Sequence, residues 1–244
     1  MFTNIVVGVD GGQGGRDAVA LAKQLAQPDS KITLANCYGE SGMVRLPAGR
    51  MHADSSEMLT RTAALASIDA RLVSLAYASV SRGLHQFAAH AAADLLVLGS
   101  CHPGTLGRAL LGEDSRDALN GAPCPVAIAP SGYDPPQHLA RIGVGYEGSE
   151  ESERAMQAAQ SLARRYDSRV SALSVVSLNS IPYGEPGAEL ARFGGQLDLL
   201  IVDSRSEGLL GRLLNGSTSN YPARRARCPL LVMPRSAAVE APRG

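Results

Sequence analysis

The sequence contains no tryptophan, and aromatic residues make up only 4% of its 244 residues. The interior must therefore be built from Ala, Val, Leu and Ile. No apolar run approaches the roughly 18 residues that a membrane-spanning helix needs, and the first residues lack the basic leader and cleavage site of a secretory signal. The four cysteines form no Cys-x-x-Cys pair, which is typical of a reducing compartment. These absences predict a cytoplasmic protein that does not act at a membrane.

The sequence has no excess of positive or negative charge, because 23 Lys and Arg residues balance 23 Asp and Glu residues. A general nucleic-acid binder needs a basic surface, so we expect no nucleic-acid partner. The motifs of P-loop proteins, dinucleotide-binding enzymes, serine hydrolases and zinc proteases are absent. Adjacent Cys101 and His102 lack chelating spacing, so no metal is predicted. No activated nucleophile or acid–base pair can be assembled, which predicts a protein that is not an enzyme.

What the sequence does contain is an internal repeat. The segment Ile5–Gly12 aligns with Ile142–Ser149 at an offset of 137, with Glu147 opposite Asp10. Later blocks share an offset of 104, including Cys124-Pro125 against Cys228-Pro229. Between these blocks, Asp29–Thr33 aligns with Asp167–Ser171 at an offset of 138. The chain is therefore a duplication, and because the offset falls from 138 to 104, its second copy lacks 34 residues in its middle.

Each copy alternates between short apolar runs and segments with helical periodicity. In the first helix, for example, Ala18, Leu21, Ala22 and Leu25 form one apolar stripe. Strands joined by helical crossovers predict α/β domains with doubly wound, mainly parallel sheets. The predicted strands are Asn4–Asp10, Ile32–Tyr38, Arg71–Ala78, Asp94–Ser100, Pro125–Ala129, Arg141–Tyr146, Arg169–Ser177, Asp198–Val202 and Pro229–Met233. The predicted helices include Ser55–Ile68, Gly83–Ala93 and Asp114–Asn120, with loops at Gly39–Ala53 and around Gln27–Ser30.

The domain boundaries follow from the repeat. We predict a complete domain over residues 1–133, a truncated domain over 139–236 and a flexible tail over 237–244. The missing 34 residues equal about one helix and one strand. In the strand order 3-2-1-4-5 the lost strand is an edge strand, whose removal leaves the sheet intact. The last strand of each copy would otherwise be an exposed apolar edge, so we expect the two domains to pair through these strands.

The segment Ile5–Gly12, the block from Leu98-Gly99-Ser100 to Gly112 and the closing Ala122–Val126 resemble the universal stress protein family. The resemblance covers residues 3–130 and, more loosely, 140–235. It implies a flavodoxin-like or adenine-nucleotide-hydrolase-like fold, pairing along the last strand, and a stress-response or regulatory role. In some family members it also implies bound ATP.

The ATP-binding pattern of that family is Gly-x-x-Gly, nine residues and then Gly-Ser, with an Asp that ends the first strand. In the first copy, Asp10, Gly99, Ser100 and Gly112 match, whereas His102 and Glu113 replace a Gly and a Ser. In the second copy Glu147, Asp203 and Ser206 stand at pattern positions, and only Gly216 and Ser217 remain. Glycines let a backbone curl around phosphate, and a helix N-terminus attracts anions. The nucleotide-binding candidates are therefore Asp10, Cys37, Gly99, Ser100, Gly112, Gly216 and Ser217.

Three interpretations remain open. The first is a non-enzymatic regulator that binds ATP or AMP in its first domain, alone or as a homo-oligomer. The second is an interaction scaffold that binds no nucleotide, because a carboxylate such as Glu113 repels phosphate. At a separation of about 4 Å this repulsion costs about 1 kcal/mol in water and about 4 kcal/mol where the effective dielectric constant is near 20. The third is a small-molecule hydrolase or transferase that uses Asp10 and His102.

Overall fold

The computed structural model describes residues 1–39, 47–100, 119, 121–174, 193, 195–203 and 228–234. The strands are β1 (Phe2–Gly8), β2 (Ala26–Tyr38), β3 (Arg71–Ala76), β4 (Leu95–Gly99), β5 (Val126–Ala129), β6 (Arg141–Gly145), β7 (Arg169–Leu173), β8 (Leu199–Asp203) and β9 (Leu230–Met233). The longer helices are α1 (Gln13–Leu25), α2 (Ala48–Ala66), α3 (Val80–His90) and α4 (Glu150–Tyr166).

The described strands form a nine-stranded sheet in the order β3-β2-β1-β4-β5-β9-β8-β6-β7. All pairs are parallel except β5 and β9, which run antiparallel with Ala127 opposite Leu231. The predicted α/β class and the order 3-2-1-4-5 of the first copy are confirmed. The sequence indicated two sheets, and the structure joins them into one because the last strand of each copy hydrogen-bonds to that of the other.

The described strands of the second copy keep the order of the first and include no equivalent of β3. Among the described residues, β7 therefore forms one end of the sheet. Its burial is low, with Arg169, Ser171 and Ala172 exposed. By contrast, every residue of β8, in the interior of the sheet, is buried.

Helices cover both faces of the sheet. On one face, α1, α2 and α4 pack on a core that includes Ile5, Leu21, Leu59, Ile142 and Leu162. On the other face, α3 contributes to a second core around Val6, Leu84, Leu96, Ile128 and Leu200. Both cores draw residues from both copies, so the two halves share their apolar interior.

The starts of α2 and β2 differ most from the sequence-based prediction. Helix α2 begins at Ala48 inside the predicted loop, because Pro47 sits at its N-cap and accepts the Arg50 N–H at 2.9 Å. Proline is compatible with a helix start even though it disrupts a helix interior. Strand β2 begins at Ala26 and so includes the predicted turn Gln27–Ser30, and its pairing with β1 is irregular there. Ser30 bridges this irregularity by accepting from Gln27 N and donating to Phe2 O.

Candidate functional site

The first half has a crevice at the point where its strand order reverses. Strand β1 pairs with β2 on one side and with β4 on the other. In such sheets the helices after neighbouring strands leave in opposite directions, which opens a crevice beyond the carboxyl ends of the strands. Asp10 follows β1 and Gly99 ends β4, so two sequence-predicted residues flank this crevice.

Asp10 organises the turn between β1 and α1. Its Oδ1 atom accepts from Gly12 N at 2.9 Å and from Gly15 N at 3.1 Å. Gly11 has a φ of +76°, which suits glycine, and lets the chain turn back over the carboxylate. Asp10 therefore satisfies N–H groups at the start of α1, where the N-cap residue Gly12 has no side chain to do so.

Gly99 lies where α1 approaches β4 most closely. A Cβ atom on Gly99 would be 1.9 Å from the carbonyl oxygen of Gly14. Ser100 is buried, and its N–H continues the β4–β5 ladder by donating to Ala129 O at 3.0 Å. The glycine at position 99 is therefore required by helix–sheet packing, whatever binds in the crevice.

Cys37 lies against α3. Its Sγ atom is 3.6 Å from Val80 O, and a Cβ atom on Gly83 would be 2.9 Å from Sγ. Burial raises the pKa of the Cys37 thiol to about 11, which keeps it protonated and weakly nucleophilic near neutral pH. The contacts of Cys37 are thus with α3 rather than with Asp10.

A polar cluster that the sequence-based prediction did not identify lies between β2, β3 and α2. Asn36 Nδ2 donates to Val9 O at 2.7 Å, and its Oδ1 accepts from Ser55 Oγ at 2.8 Å. Ser55 Oγ is also 2.9 Å from Ser74 Oγ. An Asn within an apolar strand was the signal for this cluster, since buried polar groups need partners. The cluster holds the chain just before Asp10.

In the second half, two acidic residues stand at the positions equivalent to Asp10 and Gly99. Glu147 follows β6 and accepts from Ser149 Oγ at 3.4 Å. At the end of β8, Asp203 occupies the position of Gly99 in the first copy and is 1% exposed. A buried carboxylate here raises the electrostatic cost of placing a phosphate at the same end of the sheet.

Several predicted positions lie outside the described residues, namely His102, Gly112, Glu113, Ser206, Gly216 and Ser217. Within the described ranges, no group of three His, Cys, Asp or Glu side chains is arranged to hold a metal ion. In the same part of the chain, no helix has the length and apolar character required to cross a membrane.

Fold and crevice together define a tandem α/β protein of the doubly wound type. The sequence profile of the universal stress protein family matches residues 1–130, 138–195 and 183–234. The chain belongs to the universal stress protein family.

The curated relatives are mycobacterial. The chain is 28% identical over 186 residues to universal stress protein Rv2005c of Mycobacterium tuberculosis, a match that covers 59% of this chain and 63% of the relative. It is 36% identical over 92 residues to universal stress protein Rv2319c of the same organism, covering 37% of this chain and 32% of the relative. The matched region thus spans less than two thirds of either relative.

Among solved structures, a universal stress protein from Archaeoglobus fulgidus has the same fold. The similarity covers 96% of this chain and 97% of that chain, with a TM-score of 0.68 and 16% identity. At this identity the comparison establishes the fold alone.

Proposed function

We propose that the first half binds an adenine nucleotide, ATP or AMP, in the crevice beside Asp10 and Gly99, and that the protein acts as a regulator rather than an enzyme. The observation that carries this proposal is the placement of Asp10 at the point where the strand order reverses, next to the N-terminus of α1. The cytoplasmic location expected from four cysteines without a Cys-x-x-Cys pair stays a prediction alongside it.

The carboxylate of Asp10 has one oxygen for the protein and one for a ligand. Oδ1 accepts both N–H groups of the α1 turn, and Oδ2 accepts no hydrogen bond from the described residues. Asp10 is exposed, so a ribose hydroxyl can reach Oδ2 from solvent. A hydrogen bond to an ionised acceptor contributes about 1.5–3 kcal/mol, or about a tenfold gain in affinity or more.

The proposal assigns nucleotide binding to the first half alone. Buried Asp203 replaces Gly99, and exposed Glu147 replaces Asp10 with a side chain already engaged by Ser149. The two acidic groups at the mouth of the second crevice disfavour phosphate. Asp10→Asn and Glu147→Gln are therefore matched substitutions at equivalent positions.

Equilibrium dialysis with ATP and with AMP tests the assignment. Asp10→Asn keeps one oxygen for the α1 turn but presents an amide N–H₂ in place of Oδ2. We expect it to lower nucleotide affinity about tenfold without a change in the free energy of unfolding, whereas Glu147→Gln leaves affinity unaltered. Equal losses in both variants would contradict assignment to the first half.

The same samples separate the two other interpretations. An interaction scaffold predicts that the unaltered protein retains no ATP or AMP. A hydrolase predicts that phosphate is released from bound ATP and that His102→Ala abolishes this release. We expect retention without turnover.

A further inference from the structure

A groove of about 430 Å³ lies on the outer side of the first half, between α1, α2 and the segment that connects the two halves. Arg16 and Lys23 line it from α1, Leu65 and Ala66 from α2, and Pro135 from the connecting segment. Neither Asp10, Gly99 nor Ser100 contributes to its walls. The groove is thus a different site from the proposed nucleotide crevice, and its volume is in the range of small-molecule sites, about 300–1,000 Å³.

The centre of the groove is apolar and partly open to solvent. On α1 the lining includes the partly exposed Ala20 and the buried Val19 beneath it, and on α2 it includes Leu65, with 68% of its surface exposed. Leu65 is the most exposed large hydrophobic side chain in the described part of the chain. An isolated exposed leucine is ordinary, but one on the wall of a concave apolar surface offers contact area to an apolar ligand.

The charge of the groove has one sign. Its lining includes two cations and no acidic residue. Arg16 donates from Nε and Nη2 to Gln13 Oε1, and Lys23 Nζ donates to Ala66 O at 2.8 Å. Neither cation forms an ion pair with a described residue. Each side chain retains further N–H donors for an anion.

The two cations stand at different places along α1. They are seven residues apart, which is two helical turns or about 10 Å along the axis. Lys23 lies at the end where α2 terminates, and Arg16 lies near the start of α1. Ala20 lies between them along α1, so an elongated ligand places its chain over Ala20 and Leu65 and its charged end beside a cation.

We propose that this groove binds an amphipathic carboxylate, a small molecule with an apolar chain and one anionic end. The apolar chain of such a ligand gains affinity by burying apolar surface of the groove. Its carboxylate gains selectivity by pairing with Arg16 or Lys23. The proposal goes beyond nucleotide binding and does not depend on it.

Isothermal titration of the full chain with sodium decanoate and with decanol, its uncharged counterpart, tests the proposal. We expect decanoate to bind more tightly than decanol. Arg16→Gln and Lys23→Gln each lower decanoate affinity by about two- to fivefold, as expected for exposed charge pairs. Because the two positions are well separated, their effects multiply in the double variant.

Control variants address the alternative explanations. Lys31→Gln removes an exposed cation of β2 that does not line the groove, and it leaves decanoate affinity unchanged. Leu65→Ser lowers affinity for decanoate and decanol alike. Lys23→Gln also loses the hydrogen bond to Ala66 O, so thermal unfolding checks that each variant remains folded. Arg16→Gln keeps that bond and therefore tests the charge alone.

Three results would overturn the proposal. The first is equal affinity for decanoate and decanol. The second is a loss of decanoate affinity in Lys31→Gln as large as that in Arg16→Gln. The third is displacement of decanoate by saturating ATP. The last result would place the ligand in the crevice beside Asp10. Decanoate binding that persists in the presence of ATP and falls in both cation variants supports the groove, whether or not the nucleotide proposal holds.

Discussion

Single residues at the crevice have structural roles that a sequence motif does not reveal. Gly99 matches the first glycine of a nucleotide-binding pattern, and its missing side chain makes room for the backbone of Gly14. Asp10 matches the acidic position of the same pattern and caps α1 through one carboxylate oxygen. Because packing or helix capping can also require such a residue, a match to the pattern does not by itself establish nucleotide binding.

Gly99→Ala should destabilise the protein. A Cβ atom 1.9 Å from the Gly14 carbonyl oxygen forces the backbone apart, and overpacking of this kind costs about 1–3 kcal/mol. Urea unfolding followed by circular dichroism measures the free energy of unfolding. Gly49→Ala is the matched control, since a Cβ atom there meets nothing within 4 Å and favours the helix. Equal stability of the two variants would contradict the packing role of Gly99.

At the scale of elements, α1 and α4 begin the two copies in different ways. Helix α4 has Ser149 as its N-cap, three Glu residues in its first turn and two Arg residues in its last. The acidic residues at the N-terminus and the basic residues at the C-terminus interact favourably with the helix dipole and stabilise α4. Helix α1 has neither a capping side chain at its N-cap nor an acidic residue in its first turn, and it depends on Asp10 from the strand side.

Ser149→Ala should cost about 0.5–2 kcal/mol, because the N–H of Ser152 loses the Ser149 Oγ atom, 3.1 Å away. Thermal unfolding in low salt measures the change. Ser161→Ala, within the same helix, removes only a surface contact with Arg164 and should change stability by less than about 0.5 kcal/mol. If Ser161→Ala proved the more damaging variant, Ser149 would not be the cap that stabilises α4.

At the scale of the whole molecule, the halves are tied together by more than the β5–β9 pair. Asp17 of α1 is 2% exposed, and its carboxylate accepts from Gly132 N at 2.8 Å and from Tyr133 N at 3.1 Å. On the second half, Arg165 donates to Ala26 O and Tyr166 to Gln24 O. The bonds of Asp17 fix the connecting segment on α1, and the bonds of Arg165 and Tyr166 fix the end of α4 on the first half.

Asp17→Ala should loosen the segment that connects the halves. Two backbone N–H groups lose a charged acceptor, which costs about 1.5–3 kcal/mol for each hydrogen bond in the absence of compensation by water. We expect lower thermal stability and faster chymotrypsin cleavage after Tyr133. Asp134→Ala, an exposed neighbour in the same segment, is the control and should behave like the unaltered protein. Unchanged cleavage in Asp17→Ala would show that other contacts hold the segment.

The sequence by itself determined the duplication, the α/β class and the cap of α4, because hydrophobic periodicity, capping residues and a repeated block order are local properties. It also placed Asp10 and Gly99 at one crevice, since the carboxyl ends of parallel strands meet at one edge of the sheet. It did not determine the start of α2, where Pro47 and Gly49 are typical of a loop and equally compatible with a helix start.

Only the tertiary structure decided which partners these residues find. The sequence predicted that the last strands pair, and the structure set their antiparallel register, with Ala127 opposite Leu231, which joins the two sheets into one. The structure directed Cys37 towards α3, made Gly99 a packing contact and joined Asp17 to backbone groups more than a hundred residues away. Contacts of this kind depend on the distances between folded elements, and no local pattern in the chain encodes them.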